Sequence, residues 1–271
     1  MMCPPGLIVL IVSSFLRDEP PVPDPAALMK EVRAHQQKMD EVRENYTYHR
    51  IRRIEDLDGS GEVKKTTLEE HEIFYVNGHQ IGRLVKREGK PLSAEEAVKE
   101  GERTRKLTNE FAKKPPSFGG GGGVNLIGVI LTAAELSNPR RTEMNGRPTI
   151  AFDFKGDPEA ETHTMRESAA KKLAGTVWID EADRQVARLE VEFYDNFHIA
   201  GGLLASIQKG TVMKIDQSPI GEGLWMQTAN ERSMNMRVII KGVHEHVVVR
   251  NVDFRRFNVD QAQHIREPAK N

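Results

Sequence analysis

Cysteine is nearly absent from this 271-residue chain: Cys3 stands alone, so no disulfide can form within it. If the first residues are removed as a leader, no thiol remains. That excludes thiolate catalysis and cysteine-based metal sites and accords with an oxidising compartment. Charge of one sign is not in excess either. Lys+Arg 39 against Asp+Glu 40 leaves a net charge of -1, which excludes a nucleic-acid binder held by a broad phosphate-neutralising surface. Aromatic residues make up only 6%. No apolar run approaches the roughly 20 residues of a membrane-crossing helix, and no fixed-period repeat suggests a solenoid. The chain also lacks a Gly-x-Ser-x-Gly elbow and a His-Glu-x-x-His pair, and its glycine run lacks the Lys-Ser/Thr of a phosphate loop.

Apolar residues at 38%, with 22 glycines, suffice for a core. Residues 1–16 carry no charge, and Gly6 to Val12 with Phe15-Leu16 have the size of a signal-peptide core. No Lys or Arg precedes this run and no Ala-x-Ala follows it; Val12-Ser13-Ser14 is the nearest substitute. A leader over 1–16 is expected, the alternative being a buried N-terminal strand or helix. Cys3 lies ahead of the run, the wrong side for lipid attachment. Residues 17–25, rich in proline, read as an extended spacer.

Asp24 and Pro25 form a helix start, followed by the apolar stripe Leu28, Val32, His35, Met39 and Val42. Lys30, Glu31, Arg33, Lys38, Glu41 and Arg43 are expected to face water. From Asn45 the period becomes two. Strands over 45–57, 62–76 and 80–87 are separated by Asp58-Gly59-Ser60-Gly61 and Asn77-Gly78, a meander with hairpin turns. Ser93-Ala94-Glu95-Glu96 caps a charged helix reaching about Lys113. Gly119, Gly120, Gly121, Gly122 and Gly123 then lead into the apolar stretch Val124 to Ala134. Most of the remainder alternates as strands: Thr149–Phe154, Gly175–Asp180, Gln185–Tyr194, Gly210–Asp216, Leu224–Glu231, Met234–Lys241 and Glu245–Phe257. A helical excursion is expected within 157–172, and a polar tail over 259–271. The expected fold is α+β: a single large antiparallel sheet of ten or eleven strands, curled into a half-open β-barrel with helices on its concave face. It spans 26–258, with a helical and glycine-rich insertion over about 92–136.

The strand Gly175-Thr176-Val177-Trp178-Ile179-Asp180, its acidic turn, and the following Arg188-Leu189-Glu190-Val191-Glu192-Phe193 resemble the LolA/LolB-like superfamily of periplasmic lipoprotein carriers. Gly221-Glu222-Gly223-Leu224-Trp225-Met226 fits the same pattern, and the likeness covers about 174–257. The resemblance implies an exported, non-catalytic carrier in the periplasm with an apolar cavity for lipid or acylated-protein cargo. It also implies transient membrane contact, a possible envelope protein partner, and no cofactor or nucleic acid. On that basis the cavity and lid would draw on Leu28, Val32, Leu126, Ile127, Ile130, Leu131, Val177, Ile179, Leu189, Val191, Phe193, Met213, Met226, Met234 and Met236. Gly119 to Gly123 would form the lid hinge. In the family a sheet arginine latches the lid; Arg50, Arg52 and Arg53 lie in the corresponding part of the chain. Burying ten methylenes would contribute roughly 8 kcal/mol, enough for micromolar holding. The bland reading makes the methionines plain core and the glycines an insertion loop.

Two alternatives remain: an envelope-stress sensor of the RseB type on the same fold, and a hydrolase on a closed barrel. Asp56 to Glu62 begins like a calcium loop, but Thr67 occupies the place of the bidentate glutamate, so a hairpin turn is expected. His244-Glu245-His246 puts two imidazoles on one strand face with no third ligand nearby, and no metal site is expected. Asp153, Asp157, Glu159 and Glu161 could supply a carboxylate pair, which spacing alone does not establish.

Overall fold

The structure, a computed structural model, describes residues 21–115, 127–130, 134–199, 204–221 and 223–256. The leader, residues 17–20 of the spacer, the five glycines, Leu126, Leu131 and the polar tail lie outside the described residues. Among the described residues the helices are α1 (Pro25–Arg43), α2 (Ala94–Phe111) and α3 (Met165–Ala170), and 127–130 is a further helical turn. The strands are β1 (Tyr46–Leu57), β2 (Val63–Val76), β3 (His79–Arg87), β4 (Lys90–Pro91), β5 (Ala134–Met144), β6 (Arg147–Gly156) and β7 (Leu173–Asp180). They continue as β8 (Val186–Phe193), β9 (Phe197–Ile199), β10 (Ala205–Ile207), β11 (Val212–Gly221), β12 (Leu224–Val238) and β13 (Lys241–Arg256).

All belong to one 13-stranded sheet in the order β4-β3-β2-β1-β13-β12-β11-β8-β7-β6-β5, with β10 pairing β12 and β9. Every pairing is antiparallel. The path ends on β4 and β5, so the sheet does not close. Laid flat it would be about 50 Å wide at 4.8 Å per strand, a width at which twisted sheets curl. Local chemistry starts and stops these elements as expected. Asp24 accepts from the Ala27 amide (2.9 Å), and Ser93 and Glu96 form a reciprocal capping box. Asn77-Gly78 and Asn145-Gly146 both sit at positive φ in the hairpin turns. Asp58 Oδ1 accepts from the amides of Ser60 and Glu62, so the calcium-like motif is a turn.

One face of the sheet is covered. Leu28, Met29 and Val32 of α1, with Ile127 and Ile130, pack on Ile150, Phe152, Phe154, Val177, Ile179, Leu189, Val191 and Ile215. The far end of α1 brings Met39 and Val42 to a second cluster around Tyr48, Ile73, Leu224 and Met226. Between these apolar ends the helix is held by polar groups, which corrects the expectation that Arg43 faces water: it is 4% exposed. Its Nε donates to the Trp225 carbonyl (3.1 Å), and its Nη2 donates to Gln217 Oε1 (2.8 Å) and Gln36 Oε1 (3.5 Å). Gln36 Nε2 donates in turn to Gln185 Oε1 (3.0 Å). His35 sits at the exposed margin, bonded to the Asp183 carbonyl (3.0 Å).

Three short strands not expected from the sequence, β4, β9 and β10, join the sheet, and two longer elements also differ from expectation. β5 carries no strand signal in the sequence, because Glu135 to Thr142 is polar and contains Pro139. It is an edge strand with a register shift between Ser137 and Arg140 and Asn138 at φ 49°, the setting in which a strand tolerates proline. The expected strands Leu224–Glu231 and Met234–Lys241 are one continuous strand that turns at Ile239-Ile240. At the opposite edge α2 covers β3: the Leu84 amide donates to Glu100 (2.8 Å), and Arg103 donates to the Gly82 carbonyl.

Two interactions test this architecture. Asp180, with its side chain 1% exposed, receives Arg147 at 2.5 and 2.9 Å. Arg147 also reaches Asp183 (2.7 Å), which accepts from Trp225 Nε1 (2.9 Å). Burial alone would raise the Asp180 carboxyl, but Arg147 and the Asp183 and Ala182 amides outweigh it and hold it below its ordinary value. Asp180 therefore contributes stability above about pH 3.9, its unfolded value, and that contribution fades as pH falls through the folded one. Arg147→Ala should cost about 3 kcal/mol at neutral pH in urea denaturation, with a smaller loss once Asp180 is protonated. Gly175 lies between neighbouring strands where an added Cβ would overlap the Glu190 carbonyl oxygen and come within 3.0 Å of Phe154 Cζ. Gly175→Ala should destabilise by about 2 kcal/mol or more in the same assay.

Candidate functional site

Strand alternation sends residues of one parity to the covered face, and the register carries that face across the sheet. Phe152 opposes Val177, which opposes Leu189. Leu189 and Val191 oppose Ile215 and Met213, and Met213 opposes Arg232. The middle of this face is largely filled by α1 and 127–130. Toward one end it is not. There the start of β7, the end of β8, the start of β11 and the outer part of β12 surround a cavity of about 220 Å³. Its walls are mostly aliphatic, with Leu173, Val191, Phe193, Ile207, Met213 and Met234 among them. Val129 and Ala169 roof it from 127–130 and α3, and the exposed Arg166 places a cation on its rim.

The structure divides the residues expected at a cavity. Val191, Phe193, Met213 and Met234 meet around this one. Leu28, Val32, Ile127, Ile130, Val177, Ile179 and Leu189 are packed together in the body of the core. Met226 belongs to the second cluster, and Met236 pairs with Ile207 farther along β12. The remaining walls, from Arg166, Ala169, Ile207 and Thr211, come from short elements with no periodicity to mark them. The one readable signal was the alternation of Met234 with Met236 and of Val191 with Phe193.

The other half of the covered face is polar. Arg50 donates to Asn251 (3.1 Å), Gln80 (3.0 Å) and the Tyr48 hydroxyl (3.1 Å); each of these partners belongs to the sheet itself. Arg52 reaches Glu69 at 3.3 Å. Arg53, of opposite parity, lies on the other face and pairs with Glu55 (2.6 Å). Burial, with Tyr75 alongside, pushes the Tyr48 hydroxyl above the usual phenol range. Arg232, the cross-strand neighbour of Met213, keeps a buried Nε without a hydrogen-bond partner. Its guanidinium is lowered from the usual value by burial and by nearby Arg52. Arg166 is the one guanidinium among the residues lining the aliphatic hollow; Arg232 lies beside it as the cross-strand neighbour of Met213.

Other candidate chemistries are placed as well. His246 Nδ1 and Nε2 lie 2.9 Å from Glu55 and Glu231, and His244 Nδ1 lies 2.9 Å from Asn235. Among the described residues no group of three or more His, Cys, Asp or Glu is arranged to hold a metal ion. Asp153 is engaged by Arg140, Asn138 and Thr176. Among the described residues no helix is long and apolar enough to cross a membrane.

No protein-family model matches the chain, and no curated protein matches it in sequence. Among solved structures it is similar to a domain from Vibrio parahaemolyticus described as outer membrane lipoprotein-sorting, at 12% identity and a TM-score of 0.36, covering 86% of this chain and 93% of that one. It is also similar to a DUF1329 family protein from Desulfovibrio piger, at 12% identity and a TM-score of 0.33, covering 85% and 93%. A third likeness is to the Pseudomonas aeruginosa MucA/MucB complex, at 8% identity and a TM-score of 0.26, covering 87% and 100%.

The His246 pair gives a pH prediction. Hydrogen bonds to Glu55 and Glu231 raise the imidazole above its ordinary value, against a smaller opposing effect of burial. Its contribution to stability is complete below about pH 6.5, the unfolded value, and is lost as pH rises through the folded one. Denaturation at about pH 6 and pH 8 should show stability falling between them in the parent chain. The fall should be smaller in His246→Gln.

Proposed function

We propose that the protein is a non-catalytic binder and carrier of single acyl chains, taking an apolar tail into the cavity between β8, β11 and β12 with its anionic end toward Arg166. The observation that carries this reading is the aliphatic hollow left between the sheet and its short helical cover. Each methylene moved from water into such a hollow contributes about 0.8 kcal/mol, so tail length sets affinity and no reacting group is needed. A cavity of about 220 Å³ is small beside the roughly 300–1,000 Å³ of typical ligand pockets, which favours one chain over several. Larger cargo would require 127–130 to move, because Val129 forms part of the wall. The sequence resemblance supports the periplasm as the place of work, with lipid or an acylated protein as the donor of the tail.

Native mass spectrometry of the purified protein should detect copurified lipid, and a fluorescent long-chain fatty acid should bind with one-to-one stoichiometry. Met213→Trp, which fills the hollow, should weaken that binding at least about tenfold, equivalent to 1.4 kcal/mol, with an unchanged melting temperature. A protein that carries no lipid and does not bind the fatty acid overturns the proposal.

A further inference from the structure

The turn joining β12 to β13 consists of Ile239 and Ile240, the two residues between Val238 and Lys241. Ile239 sits at φ 56°, a left-handed conformation that β-branched residues rarely adopt and that hairpin turns ordinarily give to asparagine or glycine. The same chain uses Asn77-Gly78 and Asn145-Gly146 in that role. Ile240 is 93% exposed, Ile239 64%, Leu204 60% and Val238 41%, and the Ile239 amide donates to the Leu204 carbonyl (2.9 Å). Four aliphatic side chains therefore gather at one protruding point, at a cost in backbone strain that packing within the chain does not explain.

The surroundings of this point say what it meets. Arg237 and Lys241 flank it and are exposed, and neither forms an ion pair among the described residues. No acidic residue occurs from Arg237 to His244. A stable protein interface buries about 800 Å² on each partner, far more than a two-residue turn offers. A greasy tip collared by cations instead suits the boundary between anionic headgroups and acyl chains. The tip is also continuous with the cavity. Ile207, in its wall, is three residues from Leu204, about 10 Å along a strand, and Met234 is four residues from Val238 on β12.

We propose that the β12–β13 tip is a membrane-docking element that inserts Ile239 and Ile240 into anionic bilayers beside the cavity. It deepens the carrier reading, supplying the contact through which a tail would pass, yet the two can be tested apart. Flotation with vesicles of phosphatidylethanolamine and phosphatidylglycerol should recover the full chain with the lipid. Recovery should fall with added salt and on vesicles of phosphatidylcholine alone. Replacing Ile239→Asn and Ile240→Gly together should raise the melting temperature, because the turn relaxes, while reducing vesicle partition about tenfold or more. Ile240→Ser, which leaves Ile239 in place, should reduce partition by less. Partition unchanged in both variants overturns the inference, as does sedimentation showing that the tip drives self-association instead. If partition ignores the tip while fatty acid still binds, the docking inference alone fails. If partition depends on the tip while fatty acid does not bind, the carrier reading alone fails.

Discussion

The antiparallel ladder between β1 and β13 holds the molecule together. It runs from Tyr46 opposite Arg256 to Leu57 opposite His244, joining the first described strand to the last. It sets the meander β1–β4 beside the larger unit β5–β12 and makes their inward faces continuous. Such pairing gives no return until some two hundred residues of intervening chain have been brought together, a loop-closure burden that makes formation slow. Everything on the covered face presupposes it. The Arg50–Asn251 bond crosses it directly, and the second apolar cluster draws Tyr48 and Met226 from opposite sides of β13.

That covered face has two characters. From β6 to β11 it is aliphatic and mostly occupied by α1 and 127–130. From β12 to β3 it carries Arg232, Arg50, Arg52, His71 and Glu69, with hydrogen bonds holding Arg50 and joining Arg52 to Glu69. The cavity opens near the junction, where the helical cover gives out before the apolar wall does. The apolar interior expected from alternation is mainly filled by the chain itself, with a hollow of about 220 Å³ left beside it. Gln36, Gln185, Gln217 and Arg43 give α1 one seating on the sheet, since sliding the helix would leave buried polar groups unpaired.

Elements written in local chemistry were legible in the sequence. Asp24-Pro25, the Ser93–Glu96 box and the Asn-Gly turns state their boundaries directly, and the Leu189-Val191-Phe193 alternation shows its inner face. Elements held by tertiary context were not. β5 is polar because it is a half-exposed edge. β12 was divided because Arg232 and Ser233 interrupt its pattern, and Arg232 lies on the inner face only because the far half of that face is polar. Arg43 looked like a solvated helix end because no local signal announces Trp225 and Gln217 as its partners. The cavity was half visible: its long-strand walls follow period two, while Arg166, Ala169 and Ile207 arrive on short pieces whose placement depends on the finished sheet.

An open sheet offers two free margins, and here both are guarded. On one, α2 occupies the outward amide of Leu84 and the carbonyl of Gly82; on the other, Pro139 brings no amide and the bulge at Asn138 bends the strand away. On these two margins, among the described residues, an extended peptide finds little free backbone on which to zip up. Along these two margins association is left to side-chain surfaces, and edge-to-edge pairing of copies is disfavoured there.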